Sequence, residues 1–304
     1  MKRRYENLLM DTSGQGQGGV RLIWLGTAGI FITDGETGIL IDPYVSRFSL
    51  GTVAFRLPLK PDRTLIRNWV EKLGRGKINA VIVSHSHFDH VADAPYFAIE
   101  TDAPLIGTES TINVGRGTGI DESKLLPVKP GQTMQFGNFT VKFIESVHGP
   151  ALLGRIPFPG TIDEPLIPPA AAGKYRLGGV FALLITHPAG IILHHGSAGF
   201  KPGMYDGIAT DVLLLGISGR GNTDQYLENV ALQSRAKLVV PIHVDNFFKP
   251  LEDGMAFLPT VKFGEFCRKA EKYRAIFMIR TLPFCKEIKI LPLNPSPATN
   301  ANMR

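Results

Sequence analysis

Sulfur has little part in this sequence. Two cysteines, Cys267 and Cys285, occur in 304 residues. They match no metal-binding spacing and cannot build a disulfide framework, so a small stapled fold is excluded and a reducing, cytoplasmic compartment is expected. Long apolar runs are also missing. No stretch nears the ~20 residues that a transmembrane helix needs. Lys2-Arg3-Arg4 is followed at once by Tyr5-Glu6-Asn7, so the start does not read as a secretory signal. Acidic residues number 27 against 33 basic ones, a net charge of +6. That excess favours anionic partners. No Lys/Arg run or basic-aromatic stripe marks a nucleic-acid surface, so no nucleic-acid partner is expected. Hydrophobic and charged fractions of 44% and 20% are those of an ordinary globular domain.

Histidine is scarce as well, with eight in the chain, yet three fall within His85-Ser86-His87-Phe88-Asp89-His90. Neutral imidazole is the commonest protein ligand for transition metals, and a carboxylate completes such a set. Ala80-Val81-Ile82-Val83, rich in β-branched residues, reads as a buried strand leading into the cluster. One residue separates His85 from His87, so an extended backbone points both side chains the same way. Asp89 and His90 fall where a helix can begin and turn toward a second point. Two adjacent metals suit this arrangement better than one. A lone strand histidine would carry no such message; four clustered potential ligands do.

Short strands are expected at Arg21 to Leu25, Gly29 to Thr33 and Gly38 to Ile41, with Asp34-Gly35 turning between the last two. Thr64 to Leu73 has helical spacing of Leu65, Trp69, Val70 and Leu73. Further strands are expected near Thr101 to Gly107, in a hairpin over Phe136 to Ile144, and at Phe181 to Thr186, Gly190 to His194, Asp211 to Leu215 and Leu238 to Pro241. Helices are expected over Asp224 to Gln233 and Thr260 to Tyr273. Ala275 to Ile279 and Ile288 to Leu291 read as closing strands. Leu152 to Gly173 carries five prolines among apolar residues, so regular structure is disfavoured. It reads either as a pocket wall or lid, or as a loop packed on the body or on a second subunit of a homo-oligomer. Residues 1–19 read as a flexible lead, 20–293 as a single domain and 294–304 as a disordered tail. Strand groups each followed by helices fit an α/β, four-layer αββα sandwich.

The run from His85 to His90 resembles the HxHxDH signature of the metallo-β-lactamase superfamily. Leu25-Gly26-Thr27-Ala28-Gly29 and Ile39-Leu40-Ile41-Asp42-Pro43 resemble the opening hairpin of its ascorbate-6-phosphate-lactonase-like branch. Val147-His148-Gly149 and Val240-Pro241-Ile242-His243 resemble its later ligand segments. The resemblance implies one metal on His85, His87 and His148 and a second on Asp89, His90 and His243. It further implies catalytic roles for Asp89 and His90, with Asp89 handling the proton of the attacking water. Asp42 resembles the family's early Asp-Pro and would orient a ligand histidine through its second nitrogen.

One position departs from the pattern. In Leu193-His194-His195-Gly196-Ser197, Ser197 stands where the family carries a bridging aspartate. A hydroxyl is a poor ligand beside a carboxylate, and its neutrality leaves the site one unit more positive. The site then holds one metal, or holds two with another bridge, or borrows a carboxylate such as Asp245 or Asp206. His194 and His195 fall on opposite strand faces, and one of them is a candidate second-layer or substrate contact. The implied activity is a metal-dependent hydrolase that uses a metal-activated hydroxide on an ester, lactone or phosphodiester bond of an anionic small molecule. Alternatives are a phospholipase-D-type phosphodiesterase and a non-catalytic metal- or ligand-binding protein on a hydrolase fold. A third is a nucleophilic Ser197 working with His194 or His195. Zinc suits a histidine-rich set, and manganese or iron would also fit.

Overall fold

Alternating apolar residues build two sheets that face each other. The computed structural model describes residues 2–11, 18–151 and 153–293. One seven-stranded sheet runs in the order Glu287–Leu291, Val20–Gly26, Gly29–Thr33, Gly38–Ile41, Ile78–Ile82, Leu105–Gly107, Leu125–Pro127. It is antiparallel up to Gly38–Ile41 and parallel from there on. The other runs Met278–Ile279, Leu238–Ile242, Val212–Gly216, Gly190–His195, Phe181–His187, Phe139–Glu145, Thr133–Phe136. Its first four strands are parallel and the rest antiparallel.

The period of two decides which side chain goes where. Leu22, Trp24, Ile30, Ile32, Ile39 and Ile41 enter the core shared with Val141, Phe143, Leu183 and Ile185 of the facing sheet. The intervening Ile23, Leu25, Phe31, Leu40 and Val81 pack instead with the helices Arg63–Leu73, Ala94–Thr101 and Glu109–Thr118. Tyr226, Leu227 and Val230, together with Phe263 and Phe266, complete the core on the second sheet's side. The result is the expected αββα sandwich.

Helix Arg63–Leu73 shows how sequence sets an element here. Asp62 caps it by accepting from the Leu65 amide, and Gly74 ends it at φ 88°, in the region that suits glycine. Ile66, Trp69, Val70 and Leu73 form its buried stripe, each worth about 1.5–3 kcal/mol relative to exposure.

Three expectations need correction. The lead over residues 1–19 is not simply flexible. Lys2–Leu8 forms a 3₁₀ helix, the Met10 amide donates to the Thr281 carbonyl at 2.9 Å, and the Tyr5 ring meets those of Phe257 and Phe263. Tyr5 and Met10 give this polar segment an apolar hold on the core. The helix expected from Thr260 begins at Phe263, after a 3₁₀ turn at Pro259–Val261. A helix at Glu109–Thr118 was not expected at all. The rest of the lead (residues 12–17), the tail from Asn294 and Leu152 lie outside the described residues.

The proline-rich loop is fastened to the body. Its Ile162 amide donates to Ser110 Oγ, Leu166 donates to the Asn113 carbonyl, and Ala170–Ala171 pairs with Pro58–Leu59.

Candidate metal centre

Parallel strands place the key residues at one end of the sandwich. Ile41 and Ile82 are register partners, so Asp42 and Ser84, just beyond, become neighbours. His85 and His87 follow. His87 then caps the short helix Phe88–Val91 in an extended conformation, which puts Asp89 and His90 in its first turn. His148 follows Phe139–Glu145, Ser197 follows Gly190–His195, and His243 follows Leu238–Ile242.

The structure gathers all six sequence-nominated ligand residues into two groups. Ligand-type atoms of His85, His87 and His148 lie within 4.8 Å of one another, and so do those of Asp89, His90 and His243. His85 Nε2 stands 3.2 Å from His87 Nδ1. Asp89 Oδ2 stands 3.3 Å from His243 Nε2 and 3.7 Å from His90 Nε2. The His85 and His90 ring centroids are 3.8 Å apart, so the two groups adjoin.

Hydrogen bonds fix which nitrogen of several rings is free. Asp42 Oδ1 accepts from the Ser84 amide at 2.7 Å, and its Oδ2 accepts from Ser84 Oγ at 2.6 Å and His90 Nδ1 at 2.9 Å. His90 therefore keeps Nε2 for a ligand. Ser84 Oγ spends its proton on Asp42, so it accepts from His85 Nδ1 at 3.2 Å, which frees His85 Nε2. His148 Nδ1 donates to the Gly149 carbonyl at 2.7 Å, which frees its Nε2 as well. His87 Nε2 and His243 Nδ1 are buried with no protein partner.

Burial also sets the protonation. It holds His85 well below the ordinary histidine value, with the neighbouring imidazoles adding to the effect. Burial pushes His87 down to about 4 and His148 down to about 3. Three neutral imidazoles result, the form that binds cations. For Asp89, burial alone would raise the pKa, but His90 and His243 outweigh it and hold the carboxyl below its usual range. For His90, Asp42 and Asp89 overcome burial and raise it. Buried ring nitrogens close to one another, with one ionised carboxylate among them, fit divalent cations.

The other nominated residues fall elsewhere. Ser197 Oγ donates to the Val147 carbonyl at 3.2 Å. His194 Nε2 donates to the Ala28 carbonyl, and His195 Nδ1 shares a 2.5 Å hydrogen bond with the Tyr205 hydroxyl. Both histidines are fully buried, so neither has surface with which to meet a substrate, and neither forms the Ser–His pair a serine nucleophile needs. Gly196, between them and Ser197, is tightly packed: a Cβ would lie 3.0 Å from His194 Cε1 and 3.2 Å from Ala28 Cβ. Asp245 is not a spare carboxylate. It pairs with buried Arg47 at 2.7 Å and accepts from the Thr27 amide at 2.7 Å. Asp206 is exposed on a loop.

Sequence reading missed that Arg47–Asp245 pair, which braces the His243 segment. The Thr27 carbonyl accepts from the His243 amide at 2.8 Å, so the pair and the ligand strand hold the same turn. Apolar rings border the ligands, one from the proline-rich loop expected as a pocket wall or lid and one, Phe247, that the sequence did not suggest. Phe158 lies 6.2 Å from the His87 ring and Phe247 lies 5.2 Å from the His243 ring.

A family model for the metallo-beta-lactamase superfamily matches residues 23–199, more than half of the chain. The chain belongs to the metallo-beta-lactamase superfamily. Within it, a UPF0173 metal-dependent hydrolase of Pyrobaculum islandicum is 27% identical over 237 residues, covering 75% of this chain and 85% of that protein. Another from Rhizobium meliloti is 32% identical over 129 residues, covering 42% and 47%. Among solved structures, Igni18, a metallo hydrolase from Ignicoccus hospitalis, superposes with a TM-score of 0.58 at 16% identity, covering 90% of this chain and 99% of that one. An isothiocyanate hydrolase from Delia radicum gut bacteria superposes with a TM-score of 0.54 at 16% identity, covering 90% and 100%. These likenesses show the metallo-beta-lactamase fold. With metal-dependent hydrolases as relatives and two ligand groups assembled, the chain is a metallo-hydrolase of this superfamily.

Proposed function

We propose that this metallo-hydrolase cleaves an ester, lactone or phosphodiester bond of an anionic small molecule at a two-cation centre. His85, His87 and His148 would hold one divalent cation, and Asp89, His90 and His243 the other. The observation that carries the reading is the pairing of two ligand groups with ring nitrogens already fixed from behind. Such cations supply Lewis acidity and an acidified water at neutral pH. Five imidazoles and one carboxylate suit zinc.

The chain's own residues do the rest. Asp42 holds His90 in the tautomer that leaves Nε2 free. Asp89, kept ionised, would take the proton of the attacking water. Ser197 adds no charge, so two dications would face a single carboxylate, and the net positive field selects an anionic substrate. Phe158 and Phe247 flank the ligand groups and narrow access for bulk water. Both cysteines are free thiols, in keeping with a cytoplasmic setting.

The test is hydrolysis of anionic carboxylic esters, lactones and phosphodiesters by zinc-loaded wild type and by Asp89→Asn. Turnover of one class that falls by about 10²–10⁴-fold in the variant would support the reading. No turnover of any class by fully loaded protein would refute it.

A further inference from the structure

Nine large hydrophobic side chains are exposed among the described residues, and six of them lie on two segments. Leu50, Phe55 and Leu57 belong to the first, and Leu153, Ile156 and Ile167 to the second. Phe55 is 79% exposed and Leu153 is 96% exposed. The segments are tied together through residues 170–178. Ala170–Ala171 pairs with Pro58–Leu59, while the Leu177 and Gly178 amides donate to the Phe158 and Gly160 carbonyls. Both segments also border the metal centre. The first continues from Phe48, whose ring lies 6.5 Å from that of Phe88 beside the ligands, and the second carries Phe158 against His87.

Basic side chains stand close in sequence to the most exposed apolar ones. Arg56, Lys60, Arg155 and Arg176 are exposed there, and none of them forms an ion pair among the described residues. The exposed acids nearby are Asp62, which caps helix Arg63–Leu73 through the Leu65 amide, and Asp163 and Glu164, next to Ile162, which is pinned to Ser110 and Asn113. Arg56 and Leu153 take φ of 56° and 48°, a region that residues other than glycine rarely occupy.

We propose that this collar docks the protein onto an anionic lipid bilayer, with Phe55 and Leu153 entering the interface and the unpaired arginines meeting lipid phosphates. A second copy of the chain would bring like charges together, so self-association does not satisfy the patch. Apolar side chains interspersed with unpaired basic ones are what an anionic bilayer surface accommodates.

The experiment is flotation of the full chain with vesicles of mixed phosphatidylglycerol and phosphatidylcholine, compared with phosphatidylcholine alone, at low and high salt. We expect binding to the anionic vesicles only, weakened by salt. Phe55→Ser and Leu153→Ser should each reduce it by about tenfold, and Arg56→Glu by more than the about fivefold of one lost positive charge. Ile276→Ser, exposed but off the collar, should bind as wild type. Equal binding to both vesicle types, no binding at low salt, or a dimer in light scattering that Phe55→Ser dissolves would each overturn the proposal. Flotation is read without turnover, so its failure leaves the hydrolase reading standing.

Discussion

Replacing Asp42 by asparagine tests the logic of the centre with the smallest possible change. Asp42 is fully buried and accepts three hydrogen bonds, two from Ser84 and one from His90. Asparagine has one accepting atom where aspartate has two. If its NH₂ takes the Oδ2 position, His90 must turn Nδ1 into an acceptor. The proton then moves to Nε2, the nitrogen 3.7 Å from Asp89, and a ligand lone pair is lost. If the NH₂ takes the Oδ1 position, it faces the Ser84 amide, and a buried donor goes unpaired at about 1–3 kcal/mol. In the first case, loss of an outer-layer partner costs about 10–100-fold in metal affinity, or about 1.4–2.8 kcal/mol. Competition against a chelator of known affinity reads the shift directly, and near-ultraviolet circular dichroism verifies folding. A folded Asp42→Asn protein whose affinity stays within about threefold of wild type, against the about tenfold minimum expected, and whose stability falls by less than about 1 kcal/mol, would match neither orientation and refute the tautomer argument.

Other perturbations have equally definite expectations. Arg47→Met leaves Asp245 as a buried, unpaired carboxylate, which should cost about 3–5 kcal/mol in urea unfolding; a loss under about 1 kcal/mol, the range of exposed pairs, would mean that the pair is not the brace described. Burial holds His195 down to about 3, against about 6.5 when unfolded, so the unfolded chain binds the extra proton between those values. Its contribution to stability is complete above pH 6.5 and is lost as pH falls toward 3, by up to about 1.4 kcal/mol per pH unit. His195→Gln should flatten the acid limb of metal-free protein, and an unchanged slope would contradict this. In Gly117→Ala, the new methyl would lie 1.9 Å from the Leu166 carbonyl oxygen. That should lift the proline-rich loop at a cost of about 1–3 kcal/mol and speed limited proteolysis within it; unaltered cleavage would show that the loop yields without strain.

What was legible in the sequence was local. The three strands from Arg21 to Ile41 were legible as strands, and the His85–His90 cluster announced itself because it follows the strand Ile78–Ile82 and runs into a helix start at Phe88. Helix Glu109–Thr118 was hidden by its own glycines. A Cβ on Gly115 would meet Leu125 and Leu105, and one on Gly117 would meet the proline-rich loop. Close packing demands glycine there, and glycine erases the helical signal. The Arg47–Asp245 pair spans 198 positions, so no local pattern could reveal it. The 3₁₀ helix at Lys2–Leu8 was obscured by its charged residues, since its hold on the core rests on few apolar contacts.

The two ligand groups should hold two cations although Ser197 replaces the expected bridge. Elemental mass spectrometry of protein purified without chelator measures this directly. Two equivalents of divalent metal per chain, chiefly zinc, are expected. One equivalent would contradict the two-cation centre, and none would contradict metal binding itself.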